Sequence, residues 1–198
     1  MTEARPLEEA LGRIADALQR RKRGFCLVGG LAVSVRGEVR FTRDVDLAVA
    51  VRDDSDAEML VRDLQSEGYR PIAVVEHETT GRLSTARLMS PSGVKVDLLF
   101  ASCGIEPDIV SRATSVELPV TGAIPVATAE DLLAMKTLSM TEHRLQDRLD
   151  ARGLMRVATA LDLEQVRRAL RSITERGYNR QRDLDAQLSS VVEEVSRR

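Results

Sequence analysis

The sequence predicts an α/β (α+β) fold in which a small sheet flanked by helices is followed by a C-terminal helical region. Short apolar runs with strand-like alternation recur up to residue 127, and a segment with helical periodicity lies between the first two of them. From residue 128 onward the pattern is helical to the end of the chain. We therefore divide the chain into residues 1–127, an α/β core with an N-terminal helix, and residues 128–198, a helical region.

The composition is that of a globular chain. Of 198 residues, 43% are hydrophobic and 30% charged, and no apolar run approaches the ~20 residues that span a bilayer. The N-terminus is polar, so no secretory signal is expected. Cys26 and Cys103 stand in or near apolar strands and are expected to be reduced thiols, which favours the cytoplasm. His77 and His143 lack the spacing of zinc ligands.

The first half begins with an amphipathic helix, in which the apolar residues from Leu7 to Leu18 follow helical spacing. "FCLV" is a short buried strand, and Gly29 and Gly30 turn it into a second helix that runs to about Gly37. "DVDLAVAV" is the second strand. The Ser55-x-x-Glu58 pattern is a capping box, and it predicts a helix that ends at Gly68.

The next strands are "YRPIAVVE", "LSTARLMS" and "VKVDLLF", with "PSG" as the turn between the last two. After Glu106 we expect a short helix and two further extended segments, "SVELPV" and "AIPVA". Thr128 then caps the helix "AEDLLAMKTL". Three more helices follow, over 144–156, 162–176 with Asp162 as the cap, and 180–196.

Acidic residues interrupt two strands that otherwise resemble sheet core. Alternation along 44–51 places Asp44 and Asp46 on one face and branched apolar residues on the other. The same alternation in "VKVDLLF" places Asp97 opposite an apolar row. If the two strands are neighbours, the three carboxylates lie together on the polar face. The alternative is an ordinary solvated face, although two alanines follow the acids where such a face would carry Thr, Lys or Glu.

Three crowded carboxylates repel one another, and a divalent cation removes the conflict. Oxygen ligands suit Mg²⁺, which commonly completes its shell with substrate phosphates and water. The turn at Gly29 and Gly30 leaves backbone N–H groups without partners at the start of a helix. Because glycine has no Cβ, a phosphate can approach the main chain there. A glycine pair alone is a weak signal, but together with the acids it indicates a metal–phosphate site.

These residues together resemble the polymerase-beta-like nucleotidyltransferase superfamily, whose pattern is hG[GS], a helix, Dh[DE]h and a third acid on a later strand. Here the pattern reads "LVGG", "DVDL" and "VKVDLLF". The extended form "R-x-T-R-DVDL", with "LLAMK" and "HRLQDRLD" downstream, resembles the AbiEii-type branch, which is often the toxin of a toxin–antitoxin pair. The resemblance covers most of residues 24–150 and implies a small mixed sheet.

The resemblance also implies roles for individual residues. Gly29 and Gly30 would hold the triphosphate, and Asp44, Asp46 and Asp97 would bind two Mg²⁺ (or Mn²⁺) ions. Arg40 and Arg43 would contact phosphates or balance the acids. Lys136 would reach the triphosphate, unless it is simply a solvated helix residue. Asp147 would orient Lys136 or the nucleotide, or would only form an intrahelical ion pair with Arg144.

The implied function is metal-dependent transfer of a nucleoside monophosphate from an NTP to an acceptor hydroxyl. An RNA 3′ end, in particular that of tRNA, is the preferred acceptor, because of the toxin resemblance and the clumped arginines. A protein hydroxyl and a small molecule such as an aminoglycoside are the alternatives. A non-catalytic nucleotide-binding module, such as an antitoxin or regulatory subunit, is a hypothesis of another class. A cognate antitoxin is a candidate partner, and no membrane is expected.

Overall fold

The computed structural model describes residues 4–158 and 160–197, so the outermost residues of the two predicted domains, 1 and 198, lie outside the described residues. The described chain contains eight helices and seven strands. Their order is α1 (Ala4–Arg20), β1 (Phe25–Val28), α2 (Gly29–Arg36), β2 (Asp44–Val49), α3 (Asp54–Ser66), β3 (Arg70–Glu76), β4 (Leu83–Met89), β5 (Lys95–Leu99), α4 (Glu106–Arg112), β6 (Thr114–Leu118), β7 (Gly122–Val126), α5 (Ala129–Ser139), α6 (Leu145–Val157), α7 (Leu163–Glu175) and α8 (Leu184–Ser196).

The strands form one mixed sheet in the order β3-β4-β5-β2-β1-β7-β6. Strand β2 is parallel to β5 and antiparallel to β1, and β1 is parallel to β7. Helices flank this sheet and then continue alone to the C-terminus, which confirms the predicted fold class. None of the described helices combines the length and the apolar character that crossing a bilayer requires.

Strand β2 lies at the centre of the sheet. Its side chains alternate between the hydrophobic core on one face and the acidic residues on the other. Val45, Leu47 and Val49 are fully buried, as are Val96 and Leu98 on the neighbouring β5. Helices α1 and α4 contact β2. Burying this apolar row of β2 and β5 fixes the strand register, because a slip by one residue would turn the row to the polar face. The acidic residues are thereby fixed on the polar face as well.

The C-terminal helices pack on the α/β part. Helix α5 contacts α2, α6 and α7, and α8 contacts α5, α6 and α7. Buried side chains from both sides of residue 127, such as Ala32, Leu133 and Leu154, belong to one continuous hydrophobic core. Any residue that the helical region contributes to the sheet's polar face is therefore held by the same core.

Two of the predicted helix caps are confirmed and one is wrong. The side chain of Thr128 accepts a hydrogen bond from the Asp131 N–H, and that of Asp162 accepts from the first turn of α7. The predicted capping box at Ser55 does not form. Helix α3 begins at Asp54, and Asp53 is the residue whose side chain accepts from the Asp56 N–H. Aspartate caps as well as serine does, and Asp53, two residues before Ser55, takes the position.

The last helix begins four residues later than predicted, at Leu184 instead of residue 180. Asp183 caps it by accepting from the Ala186 N–H. Arg180 and Gln181 have φ values of 54° and 57°, in the left-handed region that an α-helix excludes. Residues 176–183 therefore form a loop, which we call the α7–α8 loop.

Candidate active site

The three acidic residues singled out in the sequence lie on adjacent strands. Strand β5 pairs with β2 in parallel register, so that Asp46 is the direct partner of Asp97 and Asp44 the partner of Lys95. Register partners on neighbouring strands point to the same face, and Asp44 shares that face because it is two residues from Asp46. The sheet therefore places Asp46 and Asp97 side by side, with Asp44 next to them.

The glycine turn lies directly against this pair. Strand β1 ends at Val28, which is the antiparallel partner of Asp46, and α2 begins at Gly29 with a φ of 64°. A Cβ at Gly29 would overlap the Asp46 carboxylate, and one at Gly30 would lie 2.6 Å from Nη2 of Arg40. The Gly30 backbone lowers the pKa of Asp46, against the larger effects that raise it. The two glycines thus make room for Asp46 and Arg40.

Two of the three carboxylates have a basic partner. Arg87 on β4 donates from Nε (2.9 Å) and Nη2 (2.7 Å) to the two oxygens of Asp97, and Lys95 Nζ lies 3.5 Å from Asp44. Within residues 4–158 and 160–197, no basic side chain forms an ion pair with Asp46. Burial and the neighbouring charge of Asp97 raise the pKa of Asp46 to about 6. Asp46 is therefore the carboxylate without a direct counter-charge.

The three carboxylates have the right chemistry for a divalent cation, but in the present structure their side chains are not grouped as metal ligands. In the described part of the chain, no three acidic, histidine or cysteine side chains are close enough together to hold a metal ion as they stand. At Asp97, Arg87 donates hydrogen bonds to both carboxylate oxygens. Asp44, Asp46 and Asp97 nevertheless offer the oxygen donors that Mg²⁺ or Mn²⁺ prefers, and Asp46 lacks a counter-charge.

A second charged group faces the sheet from the helical region. Lys136 Nζ lies 2.9 Å from Asp147 and 2.7 Å from Asp150. Arg144 Nε lies 2.7 Å from Asp147, and Arg40 Nε lies 2.9 Å from Asp150. These five side chains form a continuous chain of alternating charge, which we call the Lys136 network. With three cations and two carboxylates, it carries a net positive charge.

Lys136 is buried, with 9% of its surface exposed, so the interpretation as a solvated helix residue is wrong. Its apolar helix α5 and the two carboxylates of α6 hold the ammonium group in the interior. The intrahelical ion pair between Arg144 and Asp147 also forms, and Asp147 contacts Lys136 at the same time. Removing one partner from a buried set of ion pairs is costly in stability, so the positions of these side chains are well fixed.

The carboxylates, the glycine turn and the Lys136 network surround one open cavity of about 670 Å³, which we call the main cavity. Its volume lies in the range of small-molecule sites. Arg87, Thr42 and His143, which the sequence did not single out for this site, also line it. The predicted residues that line it are Gly29, Gly30, Arg40, Asp44, Asp46, Asp97, Lys136 and Asp147.

Arg43 is the one predicted site residue that the structure does not bring to this cavity. It is exposed, and its guanidinium lies 5.2 Å from the centre of the Phe41 ring. Arg40, three residues earlier, turns inward to the Lys136 network. The role predicted for Arg43 toward phosphates therefore requires the substrate to extend beyond the main cavity.

The chain matches a known protein family over most of its length. The family model described as "Nucleotidyl transferase AbiEii toxin, Type IV TA system" matches residues 13–195. No curated protein gives a significant match.

Solved structures share the fold at low sequence identity, which establishes the fold alone. The lincosamide antibiotic adenylyltransferase LnuA, with lincomycin bound, is 17% identical with a TM-score of 0.50, covering 76% of this chain and 97% of that chain. An antigenic nucleotidyltransferase-like protein from Paracoccidioides brasiliensis is 18% identical with a TM-score of 0.51, covering 94% and 91%. The antibiotic-resistance factor ANT(2'')-Ia is 14% identical with a TM-score of 0.52, covering 94% and 97%.

Substituting Gly29 by alanine tests the contact between the glycine turn and Asp46. Gly81 is a matched control, because its φ of 65° resembles that of Gly29 and a Cβ added there would meet nothing within 4 Å. Gly81→Ala should cost ~1 kcal/mol through backbone strain alone. Gly29→Ala should cost ~2 kcal/mol more, because the Asp46 carboxylate must move. Urea unfolding measures both, and equal losses would contradict the contact.

Substituting Asp46 by asparagine should stabilise the metal-free protein at neutral pH. The pKa of about 6 in the folded state lies above that of an unfolded aspartate, so ionisation of Asp46 reduces stability progressively from about pH 4 to about pH 6. In EDTA at about pH 8, Asp46→Asn should therefore raise the free energy of unfolding by up to about 3 kcal/mol. The gain should decline as the pH falls through 6 and be gone near about pH 4.

The control is Asp16→Asn, which alters an exposed aspartate on α1. It should show no such pH-dependent gain. If the gain in the free energy of unfolding for Asp46→Asn were equal at both ends of the pH range, or a loss at high pH, the result would contradict an uncompensated charge on Asp46.

Proposed function

The chain belongs to the AbiEii family of nucleotidyl transferases, and we propose that it transfers a nucleoside monophosphate from an NTP to the 3′ hydroxyl of an RNA, in particular tRNA, with the aid of a divalent metal. Nucleotidyltransferase activity is the property of the family. The metal, the RNA acceptor and a role as the toxin of a toxin–antitoxin pair are the proposed parts. The observation that carries the proposal is the uncompensated Asp46 beside Asp97 at the glycine turn.

Asp46 and Asp97, with Asp44 beside them, are the residues that would hold Mg²⁺ or Mn²⁺. When bound, the metal supplies charge neutralisation at the phosphates and lowers the pKa of the attacking hydroxyl. Asp46 has room in this position because Gly29 carries no Cβ. Phosphoryl transfer of this kind needs positioning and electrostatics, so the chain requires no serine or cysteine nucleophile.

The positive charge of the Lys136 network suits the triphosphate. Lys136 lines the main cavity together with Gly29 and Gly30, and Asp147 and Asp150 fix its ammonium group on the side of the cavity formed by α5 and α6. An ammonium group held in place loses little side-chain entropy when a phosphate binds. Lys136 would therefore stabilise the charge of the leaving pyrophosphate, and Asp147 would act through Lys136 as a positioning residue.

The RNA acceptor is supported by the charges around the main cavity. Arg87 and Arg144 line it next to the carboxylates, and both are partly exposed. With two tyrosines, three phenylalanines and no tryptophan in the chain, extended base stacking has few aromatic rings to use. A site that reads a short strand end through its phosphates fits this composition better than a long RNA platform. Addition of a nucleotide to such an end would disable the RNA, which is consistent with a toxin that a cognate antitoxin counteracts.

A labelling experiment tests the proposal. Wild-type protein is incubated with each α-³²P-labelled NTP, Mg²⁺ or Mn²⁺, and total tRNA in cell lysate. Label should enter the RNA, and Asp46→Asn should reduce it by at least ~100-fold, because the transition-state charge loses its metal support. Asp16→Asn should label like the wild type.

Three outcomes would contradict the proposal. Label in a protein or a small molecule instead of RNA would assign a different acceptor. Tight NTP binding without transfer to any acceptor would indicate a non-catalytic module. Equal labelling by wild type and Asp46→Asn would show that the site is elsewhere.

A further inference from the structure

A second, smaller chamber of about 260 Å³ adjoins the main cavity and overlaps it around the carboxylate pair and Arg144, and we call it the arginine chamber. It shares Asp46 and Asp97 with the main cavity. Three arginines line it, namely Arg87 from β4, Arg144 from the start of α6 and Arg180 from the α7–α8 loop. Within the described residues, its lining includes neither the glycine turn nor Lys136. Three arginines and two aspartates therefore line the chamber, and Arg180 is the arginine that lines the chamber without also lining the main cavity.

Arg180 differs from the other two arginines. Arg87 binds Asp97 and Arg144 binds Asp147, whereas no carboxylate of the described chain forms an ion pair with Arg180. Its Nη2 only approaches the carbonyl oxygen of Ser102, at 3.5 Å. The residue is exposed, yet desolvation by the chamber walls and the like charges of Arg182 and Arg144 lower its pKa. A cation in such surroundings is stabilised when an anion binds beside it.

The backbone that carries Arg180 is held in a strained conformation. Arg180 and the following Gln181 both have left-handed φ values, which cost roughly 1 kcal/mol or more each for residues with a Cβ. A single left-handed residue is common in loops, but two in succession without glycine persist only where the surrounding structure enforces them. The conformation directs the Arg180 side chain into the chamber and away from the path of a helix.

Contacts on both sides pin the α7–α8 loop. On one side, the buried ring of Tyr178 lies 4.3 Å from the His77 ring and fills the space beside Gly104, where a Cβ would overlap it. On the other side, Nη1 of Arg182 donates to the carbonyl oxygens of Leu138 (3.1 Å) and Met140 (2.9 Å) at the end of α5. The Asn179 side chain donates to the Arg182 carbonyl oxygen within the loop. Arg180 is thus presented on a preorganised loop.

We propose that Arg180 binds a backbone phosphate of the acceptor strand and so positions the attacking 3′ hydroxyl at Asp46 and Asp97, an assignment that rests on the function proposed above. A guanidinium fork matches the geometry of a phosphate. The triphosphate occupies the side of the glycine turn and Lys136 in the proposed function, which leaves the arginine chamber to the acceptor. The same charge opposes a polycationic acceptor such as an aminoglycoside.

Kinetics with Arg180→Gln test the assignment. The KM for RNA should rise on the order of tenfold, while kcat and the KM for NTP stay within about twofold, because a lost phosphate contact of about 1.4 kcal/mol weakens acceptor binding by that factor. The slope of log KM for RNA against log salt should fall by about 0.7, the value for one phosphate contact on a single strand. Arg180→Lys, which keeps the charge but loses the guanidinium fork, should restore the salt slope and only part of the affinity.

Arg171→Gln is the matched control, because it removes an exposed arginine from α7 outside the arginine chamber. It should leave both KM values unchanged. A parallel measurement of RNA oligonucleotide binding without NTP, by fluorescence anisotropy, separates the two proposals. If the wild type binds RNA more tightly than Arg180→Gln but transfers no nucleotide, the proposed function fails, and only the contact between Arg180 and RNA stands.

Two results would overturn the assignment while the proposed function stands. The first is RNA labelling in which Arg180→Gln and Arg171→Gln both match the wild type. The second is a rise in the KM for NTP alone, which would place Arg180 at the triphosphate. Failure of the wild type to bind RNA in either assay would overturn both proposals.

Discussion

The rest of the site depends on one constraint, which is that a central strand presents the Asp46 carboxylate beside Asp97 without a basic partner among the described residues. The apolar row of β2 fixes the strand, so Asp46 cannot turn away without exposing core residues. Gly29 must be a glycine in a left-handed conformation for the carboxylate to fit. The protein is therefore less stable around Asp46 than the same fold could be. Such a loss is common where a functional site needs a charge that disfavours folding.

The surrounding charges follow from that constraint. The other carboxylates near the sheet's polar face have cations of their own, as Arg87 at Asp97 and Lys136 at Asp147 and Asp150 show. These partners come from β4 and α5, so elements from both halves of the chain build the site. The helical region has a definite part in this arrangement, since it supplies the Lys136 network to the main cavity and lines the chamber that adjoins it.

Much of this could be predicted from the sequence, because strand alternation depends only on residue order. It placed Asp44 and Asp46 on one face of their strand, and Asp97 with them on the condition that the two strands are neighbours. The glycine pair followed from local turn chemistry. Arg87 was missed because the predicted "PSG" turn makes β4 and β5 neighbours without fixing the register that pairs Arg87 with Asp97. Arg180 was missed because the helical sequence pattern runs through it, whereas the Asp183 cap starts the helix later. Long-range pairing and loop strain are not encoded in short sequence windows.

Binding of Mn²⁺, followed by the EPR signal of the free ion with a non-hydrolysable NTP analogue present, tests the central claim most directly. The uncompensated carboxylate predicts that the wild-type protein takes up Mn²⁺ beyond the amount the nucleotide binds alone. Asp46→Asn and Asp97→Asn should lose this uptake, and Asp16→Asn should keep it. Uptake by Asp46→Asn equal to that of the wild type, or no uptake beyond the nucleotide's own, would contradict the account.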